Sequence, residues 1–101
     1  MKPKVLVVGS FGLDTVKNPF GSVTDAMGGS GVFASVGASF FCKTALAGSI
    51  GYDYPKLFLQ KLESKKIDLS GIQQSPKKTF RWWGEYGFDA TFEAYVAAPM
   101  A

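Results

Sequence analysis

The run Asp25-Ala26-Met27-Gly28-Gly29-Ser30-Gly31-Val32-Phe33-Ala34-Ser35 limits the fold of this chain more than any other stretch, because three of the four residues from Gly28 to Gly31 are glycine. Without a Cβ, backbone there can pass close to another strand or a ligand and can take positive φ. An apolar segment of helical period follows at once. Phe33, Val36, Gly37, Phe40 and Phe41 stand at i, i+3, i+4, i+7 and i+8, the spacing of one buried helical face. The first N–H groups of such a helix lack intrahelical partners and face whatever sits at the turn. That setting suits hydroxyl or phosphate oxygens. The alternative is a tight loop that only feeds a buried helix.

The flanking elements follow an α/β order. Val5-Leu6-Val7-Val8, ended by Gly9, reads as a buried parallel strand, since it is apolar on both faces. Ser10 to Asp14 leaves the C-terminal end of that strand, where open α/β sheets hold their ligands. Asp14, the first acid in the chain, is a candidate acceptor for substrate hydroxyls, with an Asx-turn as the alternative. Asn18 to Ser22 is turn chemistry, and Val23 and Thr24 form a short extended return. Thr44 to Ile50 predicts a second strand, weakened by its glycine. Pro55 opens a helix with Phe58, Leu59 and Leu62 as its buried stripe. Lys65 and Lys66 sit at the negative end of that helix. Ile67 to Ile72 is another short strand, which completes β-α-β-α-β. After Pro76-Lys77-Lys78 the texture changes. Thr79 to Phe88 and Thr91 to Tyr95 predict an antiparallel hairpin with a break near Gly87, Asp89 and Ala90. Phe80, Trp82, Trp83, Tyr86 and Phe88 place aromatics on both of its faces, so both faces need cover from a lid role or a partner chain.

Composition excludes several classes of chemistry. With 101 residues the chain is at most one domain, and 47% hydrophobic against 19% charged residues makes it globular. The absence of His and the single Cys42 rule out a zinc site of the usual type and any Ser–His or Cys–His pair. The lone cysteine fits a reducing compartment, and no signal peptide follows Met1-Lys2-Pro3-Lys4. The expected location is cytoplasmic, with no membrane partner. The net charge of +3 is too small to argue for nucleic acid. Stacking of single strands on Arg81, Trp82, Trp83 and Tyr86 is a minor alternative. Gly29 to Ala34 matches G-x-G-x-x-A with Asp53 about twenty residues on, but the expected strand ends at Gly9 and not directly before Gly29. Gly37 to Thr44 imitates a phosphate-binding loop with Cys42 in a glycine position and falls within the helix.

Taken in order, Val7-Val8-Gly9-Ser10, Asp14, Gly28-Gly29-Ser30-Gly31, Gly48-Ser49-Ile50-Gly51-Tyr52-Asp53, Ile67-Asp68-Leu69-Ser70-Gly71-Ile72 and Lys78-Thr79-Phe80-Arg81-Trp82 resemble the ribokinase/PfkB carbohydrate kinase family. The resemblance runs from residue 5 to about residue 88. It implies a ribokinase-like, Rossmann-like three-layer α/β fold, here its N-terminal part (1–101), with lid strands near 13–25 and 79–96. It further implies transfer of the γ-phosphate of ATP, with Mg2+, to a hydroxyl of a small-molecule sugar or nucleoside. Asp14 would bind substrate hydroxyls, and Gly28 and Gly29 would bring backbone against the sugar. Ser30 stands where ribose kinases often carry lysine, and Phe33 where they often carry asparagine. Asp53 would be structural at a helix start, and Thr79 and Arg81 would lie on the lid facing substrate or a partner. The lid strands would also serve a homodimer.

The family's D-T-x-G-A-G-D motif, which supplies the catalytic base and an anion-holding glycine loop, has no match here. No catalytic, cofactor-binding or metal-binding residue is therefore assigned, and the chain is read as a fragment that neither binds ATP nor acts alone. A non-catalytic binding or dimerisation module built on the aromatic hairpin is the alternative.

Overall fold

The computed structural model describes residues 3–88 and 92–98. In chain order the elements are β1 (Val5–Val8), β2 (Gly12–Asn18), β3 (Gly21–Gly28), α1 (Ser30–Ser39), β4 (Thr44–Ile50), α2 (Lys56–Ser64), β5 (Asp68–Gln74), β6 (Arg81–Tyr86) and β7 (Phe92–Ala98). They build two sheets. A parallel sheet has the order β1-β4-β5, and a four-stranded sheet has the order β3-β2-β6-β7. In the second, β2 pairs antiparallel with β3 and parallel with β6, and β6 pairs antiparallel with β7. The expected hairpin is thus β6–β7, and Asp89, Ala90 and Thr91 of its connection lie outside the described residues.

Both crossovers of the parallel sheet step the same way, from β1 to β4 to β5, so right-handed connections put α1 and α2 on one face. Register confirms which residues lie beneath them. Val7 pairs with Leu46, and Leu46, Ile50, Val32, Leu62 and Ile67 form the core together with Phe11, Leu13 and Tyr54. Tyr54 packs edge-on against Phe11 at 5.6 Å and Phe58 at 5.8 Å. Helix α2 begins directly after Pro55, whose φ of −62° suits the position. It buries Leu62, with Phe58 and Leu59 packed against the core, as the stripe predicts.

Five expectations need correction. Strand β1 is parallel but not buried on both faces: Leu6 and Val8, paired with Ala45 and Ala47, are 63% and 75% exposed. The reason is that both helices cover the opposite face. The expected helical face does not bury its phenylalanines: Phe33 in α1 and Phe40 and Phe41 just past its end are exposed, and Gly31, Val32 and Ser35 face inward. Helix and strand approach so closely that a β-carbon on Gly31 would lie 2.8 Å from the carbonyl carbon of Gly9. Only small side chains fit such a contact, and periodicity alone cannot say which of two apolar stripes is the narrow one. Asp14 lies inside β2 rather than in an Asx-turn, and the short return at Val23 and Thr24 is part of the eight-residue β3. Finally, a strand does end directly before Gly29, since β3 stops at Gly28, but it belongs to the four-stranded sheet and not to the parallel one.

Candidate functional site

Strands β2 and β3 close on a pair of glycines, Gly12 opposite Gly28. Strand side chains alternate faces, so Asp14 points the same way as Gly12. Its carboxylate fills the space that a side chain at position 28 would need: a β-carbon on Gly28 would fall inside the Asp14 carboxylate. Asp14 and the glycine turn therefore meet at the end of the sheet. Partial burial raises the Asp14 carboxyl above its ordinary value of 3.8.

The turn itself is held by backbone and hydroxyl contacts. Gly29 has φ of 102°, a left-handed value that a β-carbon would strain. It caps α1 without a side-chain hydrogen bond. Gly31 N–H donates to Ser10 carbonyl oxygen at 3.0 Å, and Ser30 N–H donates to Ser10 Oγ at 3.0 Å. The Ser10 and Ser30 hydroxyls lie 3.0 Å apart. This Ser10–Ser30 pair stands at the N-terminus of α1 and takes up its first two N–H groups, leaving the helix dipole as the feature there that favours oxygen ligands. Phe33 lies a turn further on, on the exposed side of α1.

Thr79 and Arg81 are engaged elsewhere. Thr79 is fully buried and its Oγ1 accepts from Gly51 N–H at 3.0 Å, while its own N–H donates to Asp53 Oδ1 at 2.8 Å. Arg81 Nη1 donates to Asp53 Oδ2 at 2.6 Å and Nε to Asp25 Oδ1 at 3.3 Å. One guanidinium thus bridges the loop after β4 and, across β2, strand β3. Burial would raise the Asp53 pKa, but the Thr79 N–H and the Arg81 guanidinium hold it down to about 2. Asp25 takes a left-handed φ of 52° at the irregularity in β3, and its N–H donates to Thr15 Oγ1 at 3.2 Å.

The register explains why residues 79 and 81 turn this way. Leu13, a core residue, pairs with Arg81, and Asp14 pairs with Trp82. Odd positions of β6 thus share the face packed on the core, and even positions share the face of Asp14. The ring of Phe80 lies 3.1 Å from where a β-carbon on Gly12 would stand, with Asp14 Oδ1 3.5 Å from the same point. The indole of Trp82 lies over Gly84, whose β-carbon it would overlap. Sequence reading named Thr79 and Arg81 as facing substrate or a partner, and named Phe80 and Trp82 only as hairpin aromatics in need of cover. Leu13 as a core residue beside Asp14 was the available signal for the alternation. Ser10 and Asp25 stood within the quoted motifs, but their pairings with Ser30 and Arg81 were not foreseen. Among the described residues, no group of three or more His, Cys, Asp or Glu is arranged to hold a metal ion.

No family model matches the chain. Over 98 residues it is 33% identical to a cytidine kinase of Thermococcus kodakarensis, spanning 96% of this chain and 35% of that protein. The nucleoside kinase of Methanocaldococcus jannaschii, described as an archaeal member of the ribokinase family, has TM-score 0.74 at 20% identity. That match covers 91% of this chain and 36% of the other. Ribokinase of Cryptococcus neoformans, solved with ADP, has TM-score 0.75 at 21% identity, covering 94% and 34%. This is the N-terminal part of a ribokinase-type fold. The chain spans about a third of the length of the relatives it matches. Within that ribokinase-type part, Asp14 and Gly28 meet just after the chain leaves the parallel sheet at the carboxyl end of β1 and enters β2 of the four-stranded sheet. Open α/β sheets bind their ligands at such ends.

Proposed function

We propose that this chain is the substrate-holding part of an ATP-dependent kinase that phosphorylates a hydroxyl of a sugar or nucleoside. The observation that carries this reading is the Asp14 carboxylate seated against Gly28, beside the N-terminus of α1. An ionised carboxylate accepts from two hydroxyls at once, and glycine backbone lets the acceptor come close. Gly28, Gly29 and Ser30 complete the cradle. Strands β2, β3, β6 and β7 act as its lid, anchored to the core by Arg81 through Asp53.

Phosphoryl transfer rests on positioning and on electrostatic stabilisation of the transferring group. ATP with Mg2+ supplies the phosphate in the complete family fold. Neither group has a counterpart assigned on this chain, and no metal-holding cluster occurs among its described residues. The chain alone is therefore expected to hold an acceptor without transferring phosphate. The single Cys42 accords with a reducing, cytoplasmic setting, and no helix among the described residues is long and apolar enough to cross a membrane.

The test is direct. Purified chain with labelled ATP and cytidine or ribose should bind the acceptor and yield no labelled product; turnover would contradict the inactivity. Asp14→Ala should weaken acceptor binding by about 1.5–3 kcal/mol, the range for a hydrogen bond to a charged group. Unchanged affinity would remove Asp14 from the site.

A second reading is an association module. Phe20 and Phe88 are 88% and 81% exposed and pair edge to face at 5.6 Å at the far end of the four-stranded sheet. Such exposed aromatics suit a homodimer through the lid strands. Sedimentation equilibrium that shows only monomer at high concentration would exclude it.

A further inference from the structure

We propose that Asp25 is a positioning residue: its ion pair with Arg81 pins a β-bulge in β3, and that bulge is what sets Gly28 beside Asp14. The proposal rests on the reading of Asp14 as the hydroxyl-binding group. From the turn inward, β2 and β3 pair as Asn18 with Gly21, Lys17 with Ser22 and Val16 with Val23. Past the irregularity they pair as Asp14 with Ala26, Leu13 with Met27 and Gly12 with Gly28. Thr24 and Asp25 thus stand opposite Thr15 alone, the two-against-one count of a bulge. Carried on without it, the register would set Met27 opposite Gly12 and Asp25 opposite Asp14. Gly28 would then move to the other face of the sheet. A side chain would compete for the space that the Asp14 carboxylate now fills, and two carboxylates would face each other across the strands.

The bulge depends on a backbone conformation that aspartate tolerates less well than glycine. Asp25 has φ of 52°, in the left-handed region where glycine is relaxed and a β-carbon is strained. Glycine is the usual residue at a left-handed bulge position, so a carboxylate there needs a reason of its own. The contacts supply one. Asp25 Oδ1 accepts from Arg81 Nε at 3.3 Å, while Asp25 N–H donates to Thr15 Oγ1 at 3.2 Å. Arg81 is itself fixed from the core: its Nη1 donates to Asp53 Oδ2 at 2.6 Å and to the Thr79 carbonyl oxygen at 3.4 Å. Arg81 shares the core-facing side of the sheet with Leu13, and Asp14 lies on the other side. Arg81 and Asp25 therefore act on the acceptor through the register of β2 and β3, and not by contact with it.

Nuclear Overhauser contacts between Gly12 and Gly28 in the isotope-labelled chain read this register directly, and titration with cytidine reads the site. Asp25→Ala removes the carboxylate and keeps the backbone strain. It should lose the Gly12–Gly28 contacts and weaken cytidine binding at least about tenfold, the scale of one hydrogen bond to a charged group. Asp25→Gly removes carboxylate and strain together, and should keep the contacts and close to native affinity. Amide shifts of β4 and α2 should stay at native values in both variants, which separates a slipped register from a general loss of folding. Where Asp25→Ala fails to fold, Arg81→Met carries the test: it should lose the contacts alone and regain them when combined with Asp25→Gly. Contacts that persist in Asp25→Ala, or a loss that Asp25→Gly shares, overturn the pinned bulge. Lost contacts with undiminished cytidine binding overturn instead the reading of Asp14 on which it rests, as does a native chain that binds neither cytidine nor D-ribose.

Discussion

The two sheets of this chain each have one face packed and one face open, and the open faces differ in kind. On the parallel sheet, α1 and α2 cover one side and leave Leu6 and Val8 on the other. That open face is aliphatic at Leu6 and Val8. On the four-stranded sheet, Leu13 and Arg81 dock one side onto the core, and the other side carries Asp14, Phe80 and Trp82. That open face has the Asp14 carboxylate near the Phe80 ring, over the bare backbone of Gly12 and Gly28. Exposure of the first kind is a surface that wants cover; exposure of the second kind is a surface arranged for a small ligand. The proposed binding site therefore falls on the four-stranded sheet, and not on the parallel sheet that defines the fold class.

Substitutions sharpen this contrast. The largest effect is expected beneath the helices: Leu46, fully buried between β1 and the core, should lose about 2–5 kcal/mol on Leu46→Ala. Measured by urea denaturation, a loss below 1 kcal/mol would contradict a core centred there. Next comes the bridge between the sheets. Asp53→Asn breaks the ion pair with Arg81 and should cost about 1.5–3 kcal/mol. Hydrogen exchange should report faster opening of β2 and β6 than of β4. Uniform acceleration in all strands would mean that Arg81 is not the joint.

The same bridge sets an acid sensitivity. Asp53 is held at about 2 against an ordinary 3.8, so its contribution is complete above about pH 4 and is lost as pH falls through 2. Roughly 2 kcal/mol of stability should disappear over that window in the native chain and not in Asp53→Asn. Identical acid titrations of the two proteins would refute the assignment. The smallest effect belongs to the bare face: Leu6→Ser should change stability by no more than about 0.5 kcal/mol. A larger loss would show that this face is covered in solution.

Much of this arrangement could be read from residues alone. The strand signal of Val5 to Val8, the stripe of α2 and the aromatic texture after Lys78 all led to observed elements. The glycine turn before α1 and its proximity to Asp14 were legible too, because glycine runs mark close approach whatever makes it. What failed was direction. Helical periodicity found the apolar residues of α1, but the contact of Gly31 with Gly9 chose the narrow stripe and turned Phe33 outward, and the helix ended before Phe40 and Phe41. Alternation in β6 was equally ambiguous until Leu13 was known to be in the core, and a shift by one residue exchanges Thr79 and Arg81 for Phe80 and Trp82. Asp25 gave no signal, since its pairing with Arg81 joins residues far apart in sequence.

The central claim is that the acceptor sits on the Asp14 face of the four-stranded sheet. Mapping amide shifts of the isotope-labelled chain on addition of cytidine tests it most directly. Changes should concentrate at Gly12, Asp14, Gly28 to Ser30, Phe80 and Trp82. Changes concentrated instead at Leu6 and Val8, or on the Arg81 and Asp53 side of the sheet, would contradict it.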